Sequence, residues 1–265
     1  MIQSKQEIYQ HFSQEDDEFI DKVLEWLNRV EERYHIFVTP FLNPHQIMIL
    51  KQLVNKTNLQ VFSSTDYWEL EEGRVILAPD YYQLELDDFE MVLLEVSYAR
   101  KFHTLRHSQV LGALFHQLGV ERWTFGDILV AENGRIQIVV DQKMFQYFID
   151  HISKIAKVPV TLKKIGFEEL MVPKKTAVTE DFLVSSLRLD KLVAAVFHLS
   201  RKSATEIIAS RQVKVNYTVT DNVSKQVLLG DMISVRKFGR FRFLEEYGFS
   251  KNGKRKIRIE KLVSK

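Results

Sequence analysis

The feature that most restricts the fold is a repeated switch of hydrophobic period between residues 89 and 165. MVLLEVSY (91–98) reads as a strand. HSQVLGALFHQLG (107–119) carries its apolar residues at helical steps and stops at Gly119, a natural helix terminator. FGDILVA (125–131) and RIQIVV (135–140) are strands joined through Glu132-Asn133-Gly134, whose Asn-Gly pair suits a tight hairpin. Residues 143–155 return to a helical period, and VPVTLKKI (158–165) is a last strand. The order β-α-β-β-α-β is the split βαβ of ferredoxin-like, RRM-like domains.

The flanks differ. Residues 6–35 predict a helix, with Ile8, Phe12, Phe19, Val23, Trp26, Leu27, Val30 and Tyr34 at three- and four-residue steps and Ser13 and Asp16 placed to cap a restart. TPFLNPHQ breaks it, and Asn43-Pro44 starts a second helix over 44–54. Strands are expected at 59–63 and 74–78. Residues 168–182 show no period and read as a linker. Beyond it, Leu187, Leu189, Leu192, Val193 and Val196 form a helix face, and a second helix spans 201–210, with Ser203 and Glu206 spaced as a capping box. Short strands follow at 213–215, 227–229 and 232–238, and Asn252-Gly253 marks a closing hairpin. The expected fold class is α+β with three small domains. These are an N-terminal α/β domain (1–80), a central ferredoxin-like domain (81–168) and a basic C-terminal domain (183–265).

Charge follows the same division. Residues 1–80 carry −7, residues 81–185 carry −2 and residues 186–265 carry +11. A folded basic end on an acidic body is the footprint of a protein that meets a polyanion. The acidic first domain suits a protein partner better than RNA. There is no cysteine, which excludes disulfides and thiolate metal sites. No apolar run reaches the ~20 residues of a membrane span, and MIQSKQEIYQHF has no secretory character. A cytoplasmic location is expected.

The most specific signal is SLRLDKLVAAVFHLSRKSATEIIASRQVKVN followed by LLGDMISVRKFGR. Over about sixty residues it resembles the RNA-binding domain named after small-subunit ribosomal protein S-four. Two residues depart from that pattern: Arg211 and Tyr217 stand where the family often has glycine. Arg201 and Lys202 fall in the first turn of a helix, where cations are unfavourable unless an anion is near. The expected RNA contacts are Arg188, Lys191, Ser200, Arg201, Lys202, Lys214, Asn216, Arg236, Lys237, Arg240 and Arg242, with Arg106 and His107 from the central domain. Arg100, Lys101, Arg106 and Arg122 read as a basic edge there. The central strand RIQIVV has no aromatics for stacking on bases.

Thr39-Pro40-Phe41-Leu42-Asn43-Pro44, Ala78-Pro79-Asp80-Tyr81-Tyr82, Leu111-Gly112-Ala113-Leu114 and Phe125-Gly126-Asp127-Ile128-Leu129 join this unit in one pattern. With them the chain resembles the YlmH family of Gram-positive bacteria, encoded in a cell-division gene cluster. Ser108-Gln109 and Ser63-Ser64-Thr65-Asp66 depart from that family's usual residues. The resemblance implies a non-catalytic factor that binds large ribosomal subunits, holding rRNA and peptidyl-tRNA in quality control of stalled nascent chains.

Two alternatives come from the same residues. Arg188-Leu189-Asp190 is similar to part of the pseudouridine-synthase motif, which would make Asp190 a nucleophile, but the flanking Gly and Thr-Ser-Gly are missing. A cell-division scaffold working through the acidic domain is the other. No nucleotide-binding loop or hydrolase motif occurs, and no cofactor is expected. His103 and His107 have i,i+4 spacing without a third ligand, so no metal is expected either.

Overall fold

The computed structural model describes Phe12, residues 16–172 and residues 177–262. The chain gathers into two compact units, Met1–Pro173 and Lys174–Lys265.

The first unit opens with helix α1 (Asp17–Arg33), which buries Ile20, Val23, Leu27 and Val30 and ends where Tyr34 turns left-handed. Of the earlier part of the expected helix only Phe12 is described, packed against this core, and Ser13 lies outside the described residues. Strand β1 (Phe37–Val38) leads to α2 (Pro44–Val54). Here Asn43 and Gln46 form a reciprocal capping box and Pro44 fills a position that needs no N–H donor. Strands β2 (Gln60–Ser63) and β3 (Val75–Ala78) complete an antiparallel sheet in the order β1-β3-β2. Both helices pack against Val75 and Leu77.

The second sheet contains β4 (Met91–Ser97), β5 (Phe125–Val130), β6 (Ile136–Asp141) and β9 (Thr161–Ile165), in the order β5-β6-β4-β9 and antiparallel throughout. Helix α3 (His107–Gln117) joins β4 to β5, and α4 (Phe145–His151) follows β6. This is the ferredoxin-like order expected from the sequence. Helix α4 is shorter than the expected 143–155. Ile152 turns extended, and the chain passes through the small hairpin of β7 (Lys154–Ile155) and β8 (Val158–Pro159). The extended path lets Ile152 and Ile155 both enter the core.

Helices α3 and α4 cover one face of this sheet, against Val92, Leu94, Val96, Ile136, Ile138 and Val140. The opposite face is also closed. Leu93, Leu129 and Val139 pack with Phe41 and Leu70, and Trp68, Phe167, Leu170 and Met171 add to the cluster. Buried Gln137 holds the covering segment down. Its side-chain amide donates to the Glu169 carbonyl at 2.9 Å, and its oxygen accepts from the Met171 N–H at 2.8 Å. Residues 168–171, expected as linker, therefore belong with Phe167 to this core.

Two devices explain the Phe125-Gly126-Asp127 motif. A Cβ on Gly126 would lie 2.7 Å from the Phe41 ring, so only glycine admits that aromatic against β5. The Asp127 carboxylate accepts the N–H groups of Glu71 at 2.6 Å and Glu72 at 3.2 Å. Arg122, expected on a basic edge, instead pairs with Glu72 and stacks over Phe125. Buried Arg74 donates to the carbonyls of Thr39 and Glu90 and lies 3.5 Å from Asp141. These bonds tie the 1–80 and 81–168 segments into one packed body.

The second unit is a six-stranded antiparallel sheet with two helices. Its strands are β10 (Ala177–Val184), β11 (Val213–Val215), β12 (Thr218–Thr220), β13 (Met232–Val235), β14 (Gly239–Phe249) and β15 (Arg255–Leu262). They run in the order β10-β15-β14-β13-β11-β12. Strand β10 replaces the second half of the expected linker and extends the sheet upstream of residue 183, pairing with β15 from Ala177↔Leu262 to Val184↔Arg255. Residues 227–229 are not the expected strand. Leu228 and Leu229 are exposed in a turn closed by the Asp231 carboxylate, which accepts the Leu228 N–H at 2.8 Å. Helices α5 (Leu189–Val196) and α6 (Arg201–Ala209) share a core with Val213, Val215, Ile233, Val235, Phe241, Phe243, Ile257 and Ile259. Alternation along each strand therefore gives the sheet one helix-covered face and one open face.

Candidate nucleic-acid interface

Helix α5 begins against a loop. The N–H groups of Leu189 and Asp190, which have no intrahelical acceptor, donate to the carbonyls of Lys225 at 2.9 Å and Val223 at 3.2 Å. Asp190 is fully buried in the first turn, where a carboxylate complements the helix dipole. It takes a forked bond from Arg188, Nε at 3.0 Å and Nη2 at 3.3 Å, and Arg201 Nε lies 3.5 Å away. One buried carboxylate thus anchors an arginine from each helix start. Such a side chain is not placed to attack a substrate.

Helix α6 starts where Ser200 caps it, its hydroxyl accepting the Ser203 N–H at 3.0 Å. The later start implied by Ser203 and Glu206 is not used. Arg201 and Lys202 occupy the first turn, which holds no acidic residue, and both are largely exposed. Lys202 reaches Glu206 only at 4.0 Å. Two cations beside free helix N–H groups form a site whose electrostatic strain a phosphate would relieve.

The other candidates fall elsewhere. Register places Lys214, Ser234 and Arg240 in one row across β11, β13 and β14, with Arg242 opposite Met232 beside it. This row lies on the open face, away from the helices. Arg236 and Lys237 stand in the β13–β14 turn, whose Phe238 packs on Phe197 at 5.8 Å. Farther along the open face the charge is neutralised. Arg258 bridges Asp181 and Glu245, and its hydrogen bond holds the Asp181 carboxyl below the ordinary carboxylate value. The single cationic surface expected from the sequence is therefore divided between the helix starts, the β13–β14 turn and the open sheet face.

Three expected contacts are already engaged in holding the fold. Ser200 is the α6 cap and Arg188 is tied to Asp190. The Asn216 amide donates to Asp231 at 2.7 Å while its oxygen accepts the Met232 N–H at 2.9 Å. Asn216 and Tyr217 are both left-handed, as a two-residue hairpin turn requires, and Arg211 is left-handed too. The two positions where this chain departs from glycine are thus ones at which glycine would be unstrained.

In the first unit, Arg106 caps α3 and His107 is its first residue, both exposed. His103 precedes the helix, so the i,i+4 geometry of a metal pair does not arise. Among the described residues no cluster of three or more His, Asp or Glu side chains is arranged to hold a metal. The signal missed in the sequence lies just before Arg106: between Glu95 and Glu121 the chain contains no carboxylate.

A two-helix, sheet-backed unit with cations at its helix starts, joined to a ferredoxin-like domain, defines an RNA-binding protein of α+β class. Family models agree with each part. Residues 15–82 match "YlmH, N-terminal", residues 85–169 match "Putative RNA-binding domain in YlmH" and residues 187–233 match the "S4 domain". The chain is 34% identical over 255 residues to "Ribosome-associated protein quality control protein P2" of Bacillus subtilis (strain 168), covering 96% of this chain and 98% of that one. It is also similar to the solved structure of cell division protein ylmH from Streptococcus pneumoniae. That likeness has 46% identity and a TM-score of 0.56, over 62% of this chain and 99% of that one. The chain belongs to the YlmH family.

Proposed function

We propose that this protein is a non-catalytic, cytoplasmic factor that binds the large ribosomal subunit through rRNA and peptidyl-tRNA and serves quality control of stalled nascent chains. The observation that carries the reading is the pair Arg201 and Lys202 at the start of α6, with Arg201 steered by buried Asp190. Guanidinium and ammonium groups there meet backbone phosphates, and the helix N–H groups add to the attraction. The relative from Bacillus subtilis, named for ribosome-associated quality control, supplies the setting.

The test is co-sedimentation of the full chain with separated large and small ribosomal subunits. The protein is expected to pellet with large subunits, and reversing both charges (Arg201→Glu with Lys202→Glu) is expected to abolish this. Binding that survives the reversal removes the assigned surface. Equal binding to both subunits removes the large-subunit reading.

A further inference from the structure

The β4–α3 loop of the central domain carries a second feature suited to RNA. It lies inside the acid-free stretch between Glu95 and Glu121 and holds Arg100, Lys101, His103 and Arg106. Both ends of the loop are fixed. Val96 and Leu105 are buried, the Tyr98 hydroxyl donates to the Gly134 carbonyl at 2.7 Å, and the Arg106 N–H donates to the Gln109 side chain at 2.9 Å. Between these anchors the N–H groups of Phe102 and His103 both donate to the Ala99 carbonyl, at 3.0 and 3.1 Å. That folds Ala99–His103 into a tight turn with Phe102 at its tip.

Phe102 is 82% exposed, more than any other large apolar side chain among the described residues. Arg100, Lys101 and His103 around it are exposed as well. Among the described residues Arg100, Lys101 and Arg106 make no direct ion pair, although Arg100, after Arg135, helps to hold the Glu95 carboxyl below its ordinary value. An aromatic held in water among exposed cations that make no direct ion pair matches a nucleotide, whose base offers a π-face and whose phosphates offer charge. The sheet offers no competing platform, since its free face is sealed by Phe41, Leu70, Trp68 and Phe167.

We propose that the Ala99–His103 turn is an RNA contact in which Phe102 stacks on an unpaired nucleobase while Arg100, Lys101 and Arg106 neutralise adjoining phosphates. The inference rests on the RNA-binding reading above for the class of partner and adds a site and a preference for unpaired nucleotides.

The experiment uses the full chain and two fluorescein-labelled RNAs, a single-stranded oligouridylate and a fully paired hairpin. Phe102→Ala is expected to weaken oligouridylate binding by about 5- to 150-fold, the range of one lost base stack, and to leave hairpin binding unchanged. Phe102→Trp is expected to keep wild-type affinity, because indole offers at least as large a face. Unchanged oligouridylate binding in Phe102→Ala overturns the proposal, and so does an equal loss on both RNAs. Loss of ribosome co-sedimentation with both RNA affinities intact also overturns it and assigns the turn to a protein contact. Failure of this site is distinct from failure of the broader reading: a wild-type chain that binds neither RNA rejects both, whereas one that loses hairpin binding only on reversal of Arg201 and Lys202 keeps the broader reading whatever Phe102 does.

Discussion

Replacing Asp190 with Asn keeps the side chain's size and removes the charge that Arg188 and Arg201 share. The carboxylate is fully buried and receives Arg188 at 3.0 and 3.3 Å, with Arg201 at 3.5 Å. Asn retains one acceptor oxygen and turns an NH2 group toward a guanidinium, so donor faces donor. One charge-assisted bond is lost, about 1.5–3 kcal/mol. The larger penalty of an orphaned buried charge, about 3–5 kcal/mol, is avoided because the arginines can swing into water. Their side chains are 35% and 66% exposed. The expected cost is about 2 kcal/mol, or roughly 8–16 °C in the melting of a unit this size. Scanning calorimetry of the full chain reads it. Binding to a paired RNA hairpin should weaken about fivefold to tenfold as the arginines lose their set direction, roughly 1–1.4 kcal/mol. In an Arg201→Gln background the same substitution should barely change affinity further, since partners in one network are not additive. Unchanged melting together with unchanged affinity would refute the assignment of Asp190 as the anchor.

Gly126→Ala drives a Cβ to 2.7 Å from the Phe41 ring and is expected to cost about 1–3 kcal/mol in urea denaturation of the first unit; an unshifted midpoint would mean that ring is free to move. Burial pushes the Glu72 carboxyl up to about 7 against the pull of Arg122, from an ordinary value of 4.5. The folded state therefore binds the extra proton between those values, and stability falls as pH rises through that window and levels off above it. Glu72→Gln should remove that slope and be more stable than the wild type at about pH 8, with denaturation midpoints at about pH 5 and pH 8 as the check.

The sequence was most legible where one local rule decided the outcome. Period and turn chemistry located β4, α3, β5, β6 and β9, and Asn43-Pro44 announced α2. What stayed hidden depended on distant partners. Strand β10 has an unremarkable sequence and exists because β15, far along the chain, offers it an edge. Leu228 and Leu229 look like strand residues but are held in a turn by Asp231. The motif around Gly126 and Asp127 was visible, but its purpose required knowing that Phe41 and the Glu71–Glu72 backbone arrive beside it. The basic character of the C-terminal unit was plain from composition. Its division between two sides of a sheet emerged only from strand register, which decides on which face each alternate residue lies. Phe102 escaped notice because exposure of a single aromatic has no sequence signature beyond the missing carboxylates around it.

The most direct test is the salt dependence of large-subunit binding by the wild type and by the doubly neutralised Arg201→Gln, Lys202→Gln chain. If those two side chains each meet a backbone phosphate, the slope of log affinity against log salt should become shallower by about 1.4–1.8 in the variant. Parallel lines, with the variant as salt-sensitive as the wild type, would contradict the account.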